Sequence, residues 1–243
     1  MREAGLDVAA GVLESEVTSL NETYNKFISK NVPFVTLKVA ISLDGKITAT
    51  RGARSPLSGP RAKAFVRRLR SEHDAVVIGS RTALIDNPLL KAAGTRQPLR
   101  VVLDSMARLP LDSRLAASAG TLRTLMAVTP RAPQDKREGL LGAGVTVIEC
   151  REKDGMVSLP DILGRLARLE VTSVLVEAGS VLAASFVKDA LVDKFIFVVS
   201  PQLLGGEGPC LIENEEILAK RLTIASHRQY GEDLVIMAYS RQD

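Results

Sequence analysis

Histidine and cysteine are scarce in this chain of 243 residues, which has two of each. His73, His227, Cys150 and Cys210 stand far apart and outside any Cys-x-x-Cys spacing. A zinc hydrolase or deaminase centre and a disulfide framework are therefore both disfavoured, and no metal site is expected. Tryptophan is absent and tyrosine occurs three times, too few to supply stacking platforms for single-stranded nucleic acid. No run of about 18 uncharged apolar residues occurs, as a membrane-spanning helix would need. The opening MREAGLDVAAGVLESE carries acids where a secretory signal needs a basic and then an apolar stretch. These absences predict a cytoplasmic protein with neither a membrane nor a nucleic-acid partner. Gly-x-Ser-x-Gly, the P-loop signature and a Gly-x-Gly-x-x-Gly after the first strand are also missing. That counts against serine hydrolases, P-loop enzymes and the classical dinucleotide fold.

Charge is distributed unevenly. The net charge of +4 is mild for this length, but Arg51, Arg54, Arg61, Lys63, Arg67, Arg68 and Arg70 follow one another with no acid between them. Such a segment attracts anions, and one or two of its cations are candidates for a phosphate. Short β-branched runs alternate with helical periodicity, which predicts a mostly parallel sheet covered by helices. The expected strands are 34–40, 75–78, 99–103, 125–128, 145–148, 173–176 and 194–199. Expected helices are 60–71, begun by Ser58-Gly59-Pro60, and 159–169. Residues 222–229 and 234–239 flank the turn cluster Tyr230-Gly231-Glu232-Asp233, so a C-terminal antiparallel hairpin should close a mixed sheet. The first 30 residues space Val12, Leu13, Val17, Leu20 and Tyr24 at helical intervals, a helical lead-in to one domain over 31–243.

Three segments carry candidate chemistry. Val174-Leu175-Val176-Glu177-Ala178-Gly179-Ser180 is a strand ending in small residues that opens a helix to about Lys188, and free N–H groups there suit phosphates. Glu177 stands at the strand's C-terminal end, where ligands of open α/β sheets bind. Lys38 sits among apolar neighbours in the first strand, before a Ser42-Leu43-Asp44-Gly45 turn, and a lysine is seldom buried there without a partner. Gly79 to Leu90 follows another strand and reads as a surface connection with an Asp86-Asn87-Pro88 turn. A parallel sheet brings Lys38, Asp86 and Glu177 to a common edge as a catalytic trio.

In order along the chain, PFVTLKVAISLDGKI, SGPRA, LRSEHDAVVIGSRTALIDNPLL, PLRVVLD, SVLVEAGSVLAASF, LVDKF and PQLLGG resemble the reductase domain of the bifunctional riboflavin-biosynthesis deaminase/reductase. The lead-in resembles the linker between that family's two domains. The resemblance implies a dihydrofolate-reductase-like three-layer fold and NADPH-dependent reduction of the ribosyl group of a 5-amino-6-ribosylamino-pyrimidine 5′-phosphate to ribityl, by a homodimer. It places Ala40, Thr82, Asp86 and Ser105 at cofactor-contacting positions, with Gly179, Ser180, Val181, Leu182, Ala183, Ala184 and Ser185 around the dinucleotide phosphates. Arg70, Leu90 and Glu177 match substrate-contacting positions, and Lys38 a strand lysine that assists the chemistry. Two departures lie on the substrate side. Arg54-Ser55-Pro56-Leu57-Ser58 stands where the family commonly shows a Ser-x-Trp pair, and Leu90-Lys91-Ala92-Ala93 lacks a usual arginine. Arg54 and Lys91 are the candidate replacement phosphate ligands. A reductase of the same fold acting on another pyrimidine, pterin or carbonyl compound, or a non-catalytic nucleotide-binding domain, remains the alternative.

Overall fold

The computed structural model describes residues 2–5, 7, 9, 11–53, 55–212 and 221–240. Two short helices, α1 (Glu14–Leu20) and α2 (Glu22–Lys30), precede strand β1 (Phe34–Ser42). Then follow α3 (Pro60–Glu72), β2 (Ala75–Gly79), α4 (Ser80–Asp86), β3 (Leu99–Leu103), α5 (Arg114–Ala117), β4 (Thr124–Val128), α6 (Gln134–Gly142) and β5 (Thr146–Glu149). A two-stranded hairpin, β6 (Glu152–Lys153) with β7 (Met156–Val157), leads into α7 (Leu159–Arg168), β8 (Ser173–Glu177), α8 (Ser180–Lys188) and β9 (Lys194–Ser200). The antiparallel pair β10 (Leu222–Tyr230) and β11 (Asp233–Ser240) completes the order.

Nine strands form one sheet in the order β10-β11-β9-β1-β8-β2-β3-β4-β5. From β9 to β5 every pairing is parallel, and β11 joins β9 antiparallel. The middle strands are predominantly apolar because helices cover both faces. Val35, Leu37, Val39, Val77, Val101, Val174 and Val176 form one core with Ile162, Leu163 and Leu166 of α7 and Phe186 and Val187 of α8. Val76, Ile78, Val102, Met126 and Leu175 form the other, with Ala62, Phe65, Val66 and Leu69 of α3 and Leu115 of α5. The period of two along each strand assigns alternate residues to the two cores.

Helix α3 begins at Pro60, whose fixed φ and missing N–H suit the first helical position. Its start is held from a distance, since Gly59 N donates to the buried Asp233 carboxylate in the turn of the last hairpin, 2.8 Å away. The lead-in does not join the core through its apolar side chains. Its helices form, but Val12, Leu13, Val17, Leu20 and Tyr24 are all exposed. Polar ties dock α2 instead: Glu22 accepts from Lys194 and from the Tyr239 hydroxyl, and Lys26 pairs with Asp193. No helix among the described residues is long and apolar enough to cross a membrane.

Candidate functional site

All the parallel strands point their C-terminal ends the same way, and a cleft of about 1340 Å³ follows those ends. It passes Lys38 and Ala40 of β1, Glu177 of β8, Gly79 of β2 and Leu103 of β3, and continues to Arg131 beyond β4. Adjacent strands lie about 4.8 Å apart, so four steps from β1 to β4 give a trough on the order of 19 Å long. Among the described residues its acidic lining is Asp86, Asp154, Glu177 and Asp189, against a much larger number of lysines and arginines. Lys38, Asp86 and Glu177 therefore line one cleft.

Lys38 and Glu177 are direct register partners of β1 and β8, so their side chains leave neighbouring strands on the same face. Arg70 of α3 reaches that face and grips the carboxylate with two bonds, Nε to Oε1 at 2.5 Å and Nη2 to Oε2 at 2.9 Å. Its Nη1 donates to the carbonyl of Lys91 at 3.1 Å. Burial pushes the Glu177 carboxyl up, but the charge and bonds of Arg70, with help from Lys38, outweigh it and hold the group below the usual carboxylate range. Burial lowers the Lys38 pKa; Glu177 opposes the shift and Arg70 adds to it. A lysine whose charge is disfavoured by burial is thus the register partner of a carboxylate kept ionised. Below them, His73 is fixed between the Leu69 carbonyl (Nδ1, 2.8 Å) and the Thr36 hydroxyl (Nε2, 3.0 Å).

The turn after β8 opens α8 at Gly179, which has no side chain to cap the helix. The first intrahelical bond runs from Ala183 N to Gly179 O, so the N–H groups of Ser180, Val181 and Leu182 lie ahead of the helical ladder. Unclaimed donors at a helix start favour an anion. A Cβ on Gly179 would lie 3.9 Å from Thr82 Oγ1, which shows how closely the starts of α4 and α8 approach. Gly179, Ser180, Val181, Leu182 and Ser185 line the cleft, as do Thr82, Asp86 and Ser105. Ala183 and Ala184 do not: 0% and 4% exposed, they lie on the inner side of α8, with Ala183 in the core under the sheet. Taking the whole run as ligand-facing disregards the helical period, which turns residues four and five past Gly179 inward. The 79–90 segment, read from sequence as a surface connection, contains the helix α4, ended by Asn87 at φ 39°.

On the other side lie Leu90, buried with φ 55°, and the exposed Lys91. Arg54 lies outside the described residues. Arg70 lines the cleft and orients Glu177; its three bonds use three of the guanidinium's five N–H donors, so among the described residues two are left, on Nη1 and Nη2. Sequence reasoning missed Ser55 and Leu57, which also line this side. Ser55 Oγ lies 2.9 Å from Thr48 Oγ1 and accepts from Ala49 N at 3.0 Å, folding the loop over the cleft.

The strand order, the two helical layers and the cleft at the strand ends define a dihydrofolate-reductase-like α/β domain. Its family is that of the RibD C-terminal domain, to which the chain belongs: the family model matches residues 33–236. The riboflavin biosynthesis protein RibD of Actinobacillus pleuropneumoniae is 33% identical over 97% of the chain, and the chain spans 64% of that relative's length. Among solved structures, Acinetobacter baumannii RibD superposes with a TM-score of 0.84 at 27% identity, covering 99% of this chain and 67% of that one. A diaminohydroxyphosphoribosylaminopyrimidine deaminase/5-amino-6-(5-phosphoribosylamino)uracil reductase from Thermotoga maritima gives 0.78 at 26% identity, covering 99% and 66%.

Proposed function

We propose that this domain is an NADPH-dependent reductase that converts the ribosyl group of a 5-amino-6-ribosylamino-pyrimidine 5′-phosphate to ribityl, in riboflavin biosynthesis. The observation that carries the reading is the register pairing of Lys38 with Glu177 inside a long cationic cleft, in a chain of this family. The donor set fits a dinucleotide: free N–H groups open α8, small residues border them, and the trough extends past Ser105 toward β4. Gly179, Ser180, Val181, Leu182 and Ser185 would hold its phosphates, Ser105 its adenosine side, and Ala40, Thr82 and Asp86 its reactive end.

Bound NADPH supplies the hydride that C1′ of the opened sugar accepts. Glu177, held ionised by Arg70, accepts hydrogen bonds from sugar hydroxyls and fixes the substrate's position. Lys38, with its lowered pKa, holds the proton that the reduced sugar requires. Leu90 supplies apolar contact beside the ring, and Arg54 and Lys91 supply positive charge on the phosphate side. The homodimer belongs to the same proposal, with β10 the edge strand of the sheet among the described residues. The test is NADPH oxidation with the amino and the oxo form of the ribosylaminopyrimidine phosphate. Turnover of one form supports the reading; turnover of neither ends it.

A further inference from the structure

Helix α3 buries one stripe, Ala62, Phe65, Val66 and Leu69, and the C-cap residue His73 continues it with a polar ring where those side chains are apolar. The proposed chemistry gives this histidine no part, yet both of its nitrogens are engaged. The Leu69 carbonyl can only accept, so Nδ1 carries the proton and donates to it at 2.8 Å. Nε2 is then bare and accepts from the Thr36 hydroxyl at 3.0 Å. Leu69 stands in the last turn of α3, where carbonyls lack intrahelical donors. Burial lowers the His73 pKa against the raising effect of the Leu69 bond and of Glu72 and Asp74, and Lys194 adds to the lowering, which favours the neutral ring.

Each end of this bridge adjoins a functional group. Leu69 directly precedes Arg70, whose fork holds Glu177. Thr36, 1% exposed, lies two residues before Lys38 and hence on the same face of β1. On β8 its register partner is Leu175, as Glu177 is that of Lys38. The ring therefore ties the helix that supplies Arg70 to the strand that supplies Lys38, one pleat below the pair. An apolar residue at 73 would fill the stripe equally well, but apolar contacts are non-directional, whereas a hydrogen bond fixes both distance and angle. Burial raises the Glu177 pKa and lowers that of Lys38, while Arg70 lowers both. A last turn of α3 that drifted outward would let both rise.

We infer that His73 is a positioning residue, whose neutral ring bridges the Leu69 carbonyl and the Thr36 hydroxyl and so holds the Arg70 turn of α3 in place against Lys38 and Glu177. Its bearing on turnover rests on the reductase reading above; its geometry is testable without turnover. The test is carbon-13 NMR titration of the Glu177 carboxyl and the Lys38 Cε in the full chain, for the wild type, His73→Asn, Thr36→Val, their double variant, Thr36→Ser and Leu140→Ala. Asparagine still offers a donor to Leu69 O but is too short for Thr36, and valine has the shape of threonine without its hydroxyl. Both single variants should raise the Glu177 pKa by about 1 and move that of Lys38 the same way. The double variant should go no further, because each change cuts the same link. Thr36→Ser keeps the hydroxyl and should titrate as the wild type does. Leu140→Ala opens a cavity under α6, beside the edge strand β5, and should lower Tm without moving either pKa. In turnover, His73→Asn and Thr36→Val should lower kcat about tenfold. Unmoved pKa values in Thr36→Val, or an equal shift in Thr36→Ser or in Leu140→Ala, overturns the bridge. The expected shifts in a protein whose wild type reduces neither pyrimidine end the reductase reading alone. Turnover of one pyrimidine with unmoved pKa values in the variants ends the bridge alone.

Discussion

Arg100 carries its guanidinium into the interior, 1% exposed, and no carboxylate among the described residues meets it. Oxygens surround it instead. Nη1 donates to Leu89 O at 3.1 Å and to the Ser118 hydroxyl at 2.8 Å; Nη2 donates to Leu115 O, Leu122 O and the Thr124 hydroxyl, while Nε has no partner. Burial pulls its pKa down to about 10. Arg100→Met should leave three carbonyls short of a donor and lower stability by about 2–4 kcal/mol in urea unfolding; a loss under about 1 kcal/mol would mean that the acceptors find other donors. Lys38 gives a pH signature. Its folded pKa lies below its ordinary value, so turnover that uses its proton should fall at a pH below the usual lysine range of about 10.4. The corresponding stability contribution has the opposite trend, growing as pH rises through the lowered pKa toward the unfolded value. Glu177, depressed in the fold, stabilises above the ordinary carboxylate pKa and loses that contribution as pH falls through its folded pKa. Glu177→Gln should cut turnover by about 100-fold or more, and full activity in that variant would show its charge to be idle.

Loops and turns of chain show where residue types constrain whole elements. The turn after β1 and the segment 201–210 are fastened together by Asp44, which accepts from Leu204 N and Gly205 N, and by Lys46, which donates to Gly206 O and Gly208 O. They approach so closely that a Cβ on Gly208 would lie 2.0 Å from Thr48 O and 2.8 Å from Ala49 O. Gly208→Ala should therefore displace the loop that carries Ser55 and Leu57, raising KM and lowering Tm together; an unchanged KM would show that the loop is indifferent to this contact. Periodicity made the sheet legible in the sequence, because each central strand is an apolar run bounded by turn residues. It made α3 and α7 legible by their apolar stripes. It was silent on the β6–β7 hairpin, whose strands are two residues each and have no room for a period. Nor does α3's own sequence indicate that Asp233 secures its start, since that bond spans most of the chain.

At the scale of the whole molecule, the sheet separates two regions. The cleft lies at the C-terminal ends of the parallel strands, while α2 is tied to Asp193 and Lys194, where β9 begins. A ligand that binds only the folded domain raises its unfolding temperature in proportion to affinity. NADPH should therefore raise Tm more than NADH at equal concentration, and an equal or larger shift with NADH would sink the proposed preference. The sequence placed Lys38 on the first strand and Glu177 at the end of a later one, but their adjacency depended on strand order, which neither strand's composition contains. In the structure that order makes them register partners, so their spacing is set by a hydrogen-bonded ladder rather than by either loop. The ladder acts as a gauge block: loops around the cleft can lengthen, shorten or change sequence to fit another ligand, and the lysine and the carboxylate keep their separation.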